Sequence, residues 1–224
     1  MRIFMKSICL VFLMISATAM MRVKPKRVIF FGDSITQMGV QPNGYISKIG
    51  AALQQKGVSD QFELMGAGIG GNKIYDLYLR MDEDVLAKDP DLVFIWIGVN
   101  DVWHKQSFGT GTDADKFEKF YVAIIKKLQA RNIKIILCTP AAIGERTDFT
   151  NQQDGDLNKY AQIIRDIAVK NNCGLLDLRK IFLDYNLKNN PANKESGILT
   201  VDRVHLNETG NQLVADKMLE LLLP

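Results

Sequence analysis

Apolar residues fall along the chain in short dense runs, separated by longer stretches where they recur every three or four positions. The runs cover residues 27–31, 62–65, 92–97, 133–138 and 175–178. The third, from Leu92 to Ile97, contains no polar position. A strand with one wet face alternates, so a continuous run predicts a strand covered on both faces. Residues 45–55, 74–86, 114–131 and 157–170 carry helical spacing instead. A final helix is expected after Asn207-Glu208-Thr209, which offer N-cap chemistry, because Leu213/Val214, Met218 and Leu221/Leu222 then recur every four residues. Strand and helix in alternation predict an α/β domain, a five-stranded parallel sheet with helices on both faces.

The first nineteen residues are a different physical object. Arg2 and Lys6 precede an apolar block at 7–16, and Ala17-Thr18-Ala19 is a small-residue cleavage pattern. This reads as a signal peptide cleaved near Ala19, with export to the periplasm or the medium. The block is about half of the ~20 residues that span a bilayer, so no stable membrane insertion is expected after cleavage. Residues 20–224 show no repeat, linker or low-complexity tract and read as one domain.

Composition adds mainly exclusions. The chain has 224 residues, 47% of them hydrophobic, which suits one domain with a full core. Its net charge of +3 comes from scattered Lys and Arg rather than a basic stripe, so no nucleic-acid partner is expected. Of three cysteines, Cys9 leaves with the leader. Cys138 and Cys173 adjoin two apolar runs, so a disulfide between neighbouring strands is conceivable, but two buried thiols are the expected state.

In such a sheet the chemistry collects where strands end and loops leave for helices. Gly32-Asp33-Ser34 follows the first run, Gly66 to Asn72 the second, and Gly98-Val99-Asn100-Asp101 the third, while Asp202-Arg203-Val204-His205 precedes the last helix. Ser34 suits a helix cap, and equally a nucleophile among unpaired N–H groups at a helix start. Thr36 stands where a Gly-x-Ser-x-Gly elbow needs its second glycine, which disfavours an α/β-hydrolase. Only His104 and His205 are present, each three residues after an aspartate, Asp101 or Asp202. Such a carboxylate can hold Nδ1–H and leave Nε2 as a base. Spacing does not choose between them.

Gly66-x-Gly68-x-x-Gly71 matches a dinucleotide fingerprint but follows the second strand, and Asp89 and Asp91 fall before the third strand rather than at its far end. The glycines are read instead as a turn that brings a backbone N–H to substrate. The Asn100 carboxamide is a neutral donor suited to an oxyanion. Two histidines without a cysteine cluster leave little for zinc.

Taken in order, the four blocks resemble the SGNH (GDSL) hydrolase superfamily, from about Arg27 to the last helix. The resemblance implies a three-layer, flavodoxin-like α/β/α sandwich and a serine esterase or acylhydrolase using no metal or organic cofactor. It assigns Ser34 as nucleophile, His205 as base and Asp202 as its orienter, which chooses His205 over His104. The oxyanion hole would be the Ser34 N–H, the Gly71 N–H and the Asn100 side chain, with Gly70 as the alternative donor. Asn72 departs from the family, where many members carry Asp. Asp33 is expected to brace the turn, and Asp33, Trp103 and His104 are the candidate substrate contacts. The loops at 105–113 and 142–156 are mostly polar, so a short acyl group is expected, acetyl on a glycan or small molecule. A lysophospholipase or thioesterase, or a non-catalytic acyl-glycan-binding module, are the alternatives.

Overall fold

The apolar runs pair side by side as β1 (Lys26–Gly32), β2 (Phe62–Gly68), β3 (Leu92–Trp96), β4 (Lys134–Cys138) and β5 (Gly174–Leu176), all parallel, in the order β2-β1-β3-β4-β5. The structure is a computed structural model that describes residues 24–223, so the expected leader at 1–19 lies outside the described residues. Every residue of β3 is buried, as its unbroken apolar run requires. Phe30 of β1 is in register with Phe94 of β3, and their rings stack with centroids 5.2 Å apart.

Parallel strands need crossover connections, and helices supply them. They are α1 (Ser34–Gly39), α2 (Tyr45–Gln55), α3 (Ile74–Asp84), α4 (Val99–Ser107), α5 (Ala114–Gln129), α6 (Asp154–Lys170), α7 (Leu178–Asn189) and α8 (Glu208–Leu222). Helix α2 packs with α8, while α3 packs with α5 and α5 with α6. The result is the three-layer, flavodoxin-like sandwich. Helix α5 buries Phe117, Tyr121, Ile124, Ile125 and Leu128, one stripe at helical spacing. Each such side chain is worth about 1.5–3 kcal/mol when removed from water. Among the described residues no helix is long and apolar enough to cross a membrane.

The strand order locates the working edge. The chain steps from β1 to one neighbour, β2, and then back across to the other, β3. Connections therefore diverge at the carboxyl ends of β1 and β3, and a crevice opens there. Gly32-Asp33-Ser34 and Gly98-Val99-Asn100 leave from its two sides.

Several boundaries differ from the sequence expectation. The run at 175–178 stops as a strand at Leu176, because Asp177 caps α7 and accepts from Lys180 N–H. Helix α7 itself carries no readable apolar stripe, since two of its buried positions are Arg179 and Asn186. The third helix ends at Asp84, and Leu86–Lys88 form a separate 3-10 turn. Helix α4 occupies part of a segment expected to be loop. Cys138 is buried and Cys173 only partly, and both are free thiols. Cys138 is level with Leu176 and Ile136 with Gly174, so Cys173 sits three positions along the ladder from Cys138. That offset is roughly 10 Å, beyond a disulfide's reach.

Gly68 ends β2 against the backbone of α1. A Cβ there would land on Gln37 N, 2.5 Å from Thr36 C and 2.7 Å from the Asp33 carbonyl oxygen. None of these atoms is a side chain that could swing aside. Gly68→Ala should therefore destabilise the fold by about 1–3 kcal/mol or more, read as a lowered midpoint in thermal unfolding. An unchanged midpoint would mean that α1 does not lie against this strand end.

Candidate active site

Strand β1 delivers Ser34 to the crevice as the first residue of α1. Asp33, one residue earlier, is the N-cap, its Oδ1 accepting from Ile35 N–H at 3.0 Å. With 2% of its surface exposed, Asp33 braces the turn, as expected of it. Ser34 is half-buried, and its Oγ lies 2.9 Å from His205 Nε2.

His205 reaches this point on a turn just ahead of α8, where Asn207 caps the helix by accepting from Gly210 N–H. Asp202 Oδ2 lies 2.6 Å from His205 Nδ1, and its Oδ1 accepts the N–H groups of Val204 and His205. Burial alone would raise the Asp202 carboxyl, but the hydrogen bonds from His205 and Val204 outweigh it and hold the group below its ordinary value. A carboxylate placed in this way fixes which ring nitrogen carries the proton and leaves Nε2 toward Ser34.

The other His-Asp pair is not assembled. Asp101 is buried and accepts from Ile74 N–H, at the start of α3. His104 stands instead against Phe108, with ring centroids 4.9 Å apart, and against Trp103. Burial and the nearby Lys73 charge lower its pKa. Trp103 in turn meets His205 edge-on at 6.4 Å. Trp103 and His104 thus stand as partly exposed aromatic walls beside His205 and Gly71, while Phe108 is largely exposed.

The glycine turn after β2 separates its two candidate donors. Gly70 N–H is committed to Gln37 Oε1 at 2.8 Å. Gly71, at φ +75°, lies in a region that favours glycine. Among the described residues neither the Gly71 N–H nor the Ser34 N–H has a protein acceptor. Asn100, in the first turn of α4 and 2% exposed, donates one Nδ2 hydrogen to the Asn72 carbonyl at 3.1 Å. Among the described residues its second hydrogen has no protein acceptor.

Sequence reasoning missed Gln37 and Arg80. Arg80 on α3 donates to the Gly32 and Ala67 carbonyls at 2.8 and 3.0 Å, joining the ends of β1 and β2. Its Nε donates to Asn72 Oδ1 at 2.7 Å, and Nη1 pairs with Asp84. This accounts for Asn72: Asp84 already balances the guanidinium, and a neutral amide oxygen suffices. In the sequence Arg80 reads only as an i,i+4 partner of Asp84. A cavity of about 410 Å³ opens at the opposite edge, beside Lys26, Leu92, Lys134 and Gly174 at the strand starts.

The family model for GDSL-like lipase/acylhydrolase matches residues 30–213. An acetylxylan esterase of Geobacillus stearothermophilus is 29% identical over 208 residues, 85% of this chain and 90% of that protein. The crystal structure of another acetyl xylan esterase superimposes with a TM-score of 0.87 at 67% identity, covering 88% of this chain and 100% of that one. An uncharacterized lipoprotein of Bacillus subtilis is 26% identical over 170 residues, 68% of this chain and 70% of that protein. Solved catalytic mutants of the Geobacillus enzyme, replaced at a serine, an aspartate or a histidine, align with TM-scores of 0.77–0.78.

Two buried acids sit under this edge. Burial pushes the Asp33 carboxyl up to about 7, against lowering effects from Ile35 N–H, His205 and Arg80. It pushes Asp101 to about 7 as well, with Asp33 adding to the rise. Unfolded, each would release its proton near the ordinary carboxyl value of about 4. Between those values the folded state holds more protons, so stability falls as pH rises through the window. Asp33→Asn keeps an acceptor for Ile35 N–H and removes one of these titrations. The variant should gain stability relative to the parent as pH goes from 4 to 7, measured by denaturant unfolding. Parallel curves would mean that Asp33 is ionised in the fold.

Proposed function

The chain belongs to the GDSL-like lipase/acylhydrolase family, and on that premise we propose that it removes acetyl groups from a xylan-type carbohydrate by way of an acyl-serine. It is a carboxylic ester hydrolase. The observation that carries the proposed mechanism is the continuous line from Asp202 through His205 to Ser34, with heavy-atom steps of 2.6 and 2.9 Å. Nucleophile and base within hydrogen-bond reach, the base oriented by a third group, is the arrangement that activates a serine.

Ser34 Oγ attacks the acetyl carbonyl as His205 Nε2 takes its proton, and the carbonyl π electrons move onto oxygen. The Ser34 N–H, the Gly71 N–H and the free Asn100 Nδ2 hydrogen face the developing oxyanion. Asp202 stabilises the imidazolium without taking its proton. The tetrahedral species collapses, the C–O bond to the sugar breaks, and His205 returns the proton to the departing hydroxyl. A water then attacks the acetyl-serine with His205 again as base, which releases acetate and restores Ser34. Trp103 and His104 wall the sugar side, where an aromatic face suits a carbohydrate ring.

Supporting the acetyl assignment are the acetylxylan esterase activities of the relatives and the mostly polar sequences of the loops at 105–113 and 142–156. Export is supported by the charged, apolar and small-residue pattern at 1–19 and by the lipoprotein relative.

Acetate release from acetylated xylo-oligosaccharides tests this reading. Ser34→Ala and His205→Ala should each lower kcat by about 10⁴-fold or more, and the double variant should be little worse, because the groups act as a unit. With p-nitrophenyl esters, kcat/KM should fall from acetyl to octanoyl. Multiplicative losses would contradict a shared mechanism, and a maximum at octanoyl would point to a lipid substrate.

A further inference from the structure

Residues 190–207 join α7 to α8 and carry Asp202 and His205, yet no strand supports them. Their ladder contact is an isolated bridge between Thr200 and Leu206. Catalytic geometry tolerates little play, so something must hold this turn against the sheet edge.

That support is a carboxylate from another loop. Glu145, on the connection from β4 to α6, has 1% of its surface exposed. Its Oε1 accepts Leu199 N–H at 2.6 Å and Thr200 N–H at 2.8 Å, and its Oε2 accepts Ile198 N–H at 2.8 Å. Among the described residues it pairs with no lysine or arginine. Three successive backbone N–H groups thus form an anion nest around one buried carboxylate. Such charge-assisted bonds are about twice as strong as neutral ones, and without them the buried charge would be uncompensated.

From the nest, two links bracket the turn. Leu199 O accepts Asn207 N–H at 3.0 Å, just beyond His205. Thr200 Oγ1 accepts Arg203 N–H at 3.1 Å, between Asp202 and His205. Arg203 sits at φ +83°, a conformation that persists only where its surroundings impose it. The backbone is tied along the same line: Gly144 N–H donates to Arg203 O at 2.9 Å, and Glu145 N–H to Glu195 O at 3.0 Å.

We propose that Glu145 is a positioning residue for the reaction, the buried clamp that sets where Asp202 and His205 stand relative to Ser34. This rests on the roles given to those three residues above. A carboxylate is required, because an amide in its place turns one acceptor into a donor facing Ile198 N–H.

The test is acetate release by the parent, Glu145→Gln, Thr200→Val, Asp202→Asn and Ser34→Ala proteins, with Glu145→Gln and Thr200→Val each also combined with Asp202→Asn. Glu145→Gln should lower kcat by about 10²-fold, the cost of a misplacement near 1 Å, with KM close to the parent value. Thr200→Val, which cuts one link, should lower kcat by about tenfold on the same reasoning. Both losses should shrink sharply in the Asp202→Asn background, since the clamp acts through that dyad. A general structural role would give equal losses in both backgrounds, and that result would overturn the proposal, as would a parental kcat for Glu145→Gln. If Glu145→Gln does not fold, Thr200→Val decides alone, and an unchanged kcat there overturns the clamp. An active Ser34→Ala protein would overturn the serine mechanism instead.

Discussion

Ser34 Oγ and His205 Nε2 meet at 2.9 Å although 171 positions separate the two residues in the chain. One belongs to the first turn after the first strand and the other to the last turn before the last helix. Everything between them has to close to within tenths of an ångström for this contact to form. The sheet supplies the coarse alignment by sending β1 and β3 to a shared crevice. Helices α2 and α8 then lock the two ends together, because Tyr45 N–H at the start of α2 donates to Asn211 Oδ1 on α8 at 2.9 Å. The fine alignment comes from capping: Asp33 fixes α1, Asn207 fixes α8, and each cap lies within two residues of Ser34 or His205.

Polar anchors hold both sides of the site. On the glycine side, Arg80 bonds two strand ends and Asn72, with its face over the Phe31 ring at 4.7 Å. On the histidine side, Glu145 collects three backbone N–H groups. A guanidinium gathers carbonyls at the ends of two strands, and a carboxylate gathers amides of a loop outside the sheet. Buried backbone groups need such partners, and here their satisfaction also fixes where the turns stand.

What the sequence made legible was whatever depends on local pattern. The run from Leu92 to Ile97 announced a doubly covered strand, and residues 45–55 gave α2 with its observed ends. The four polar blocks were readable because each sits directly at a strand exit or a helix start. Trp103 and His104 were read as mouth residues, but the helix that carries them was not foreseen: the first turn of α4 buries Asn100 and Asp101 between Val99 and Val102, and its apolar pattern is broken. Helix α7 stayed hidden for the same reason, with Arg179 and Asn186 inside. That the Gly70 N–H is taken while the Gly71 N–H is not depends on an acceptor, Gln37 Oε1, 33 positions away. Glu145 left no local signal, since its partners are backbone atoms, which carry no residue identity, and Arg80 showed only its i,i+4 pairing with Asp84. For Asp33 a cap and a mouth residue share the same position in sequence and differ only in which way the side chain turns; here it turns to Ile35 N–H.

The central claim is that Ser34 is an activated nucleophile. Its most direct measurement is peptide mass spectrometry after exposure of the folded protein to a fluorophosphonate, which labels a hydroxyl only where a base has made it reactive. One adduct per chain on the peptide that carries Ser34, absent after denaturation before labelling, is the predicted result. No adduct, or an adduct on a different residue, would contradict it.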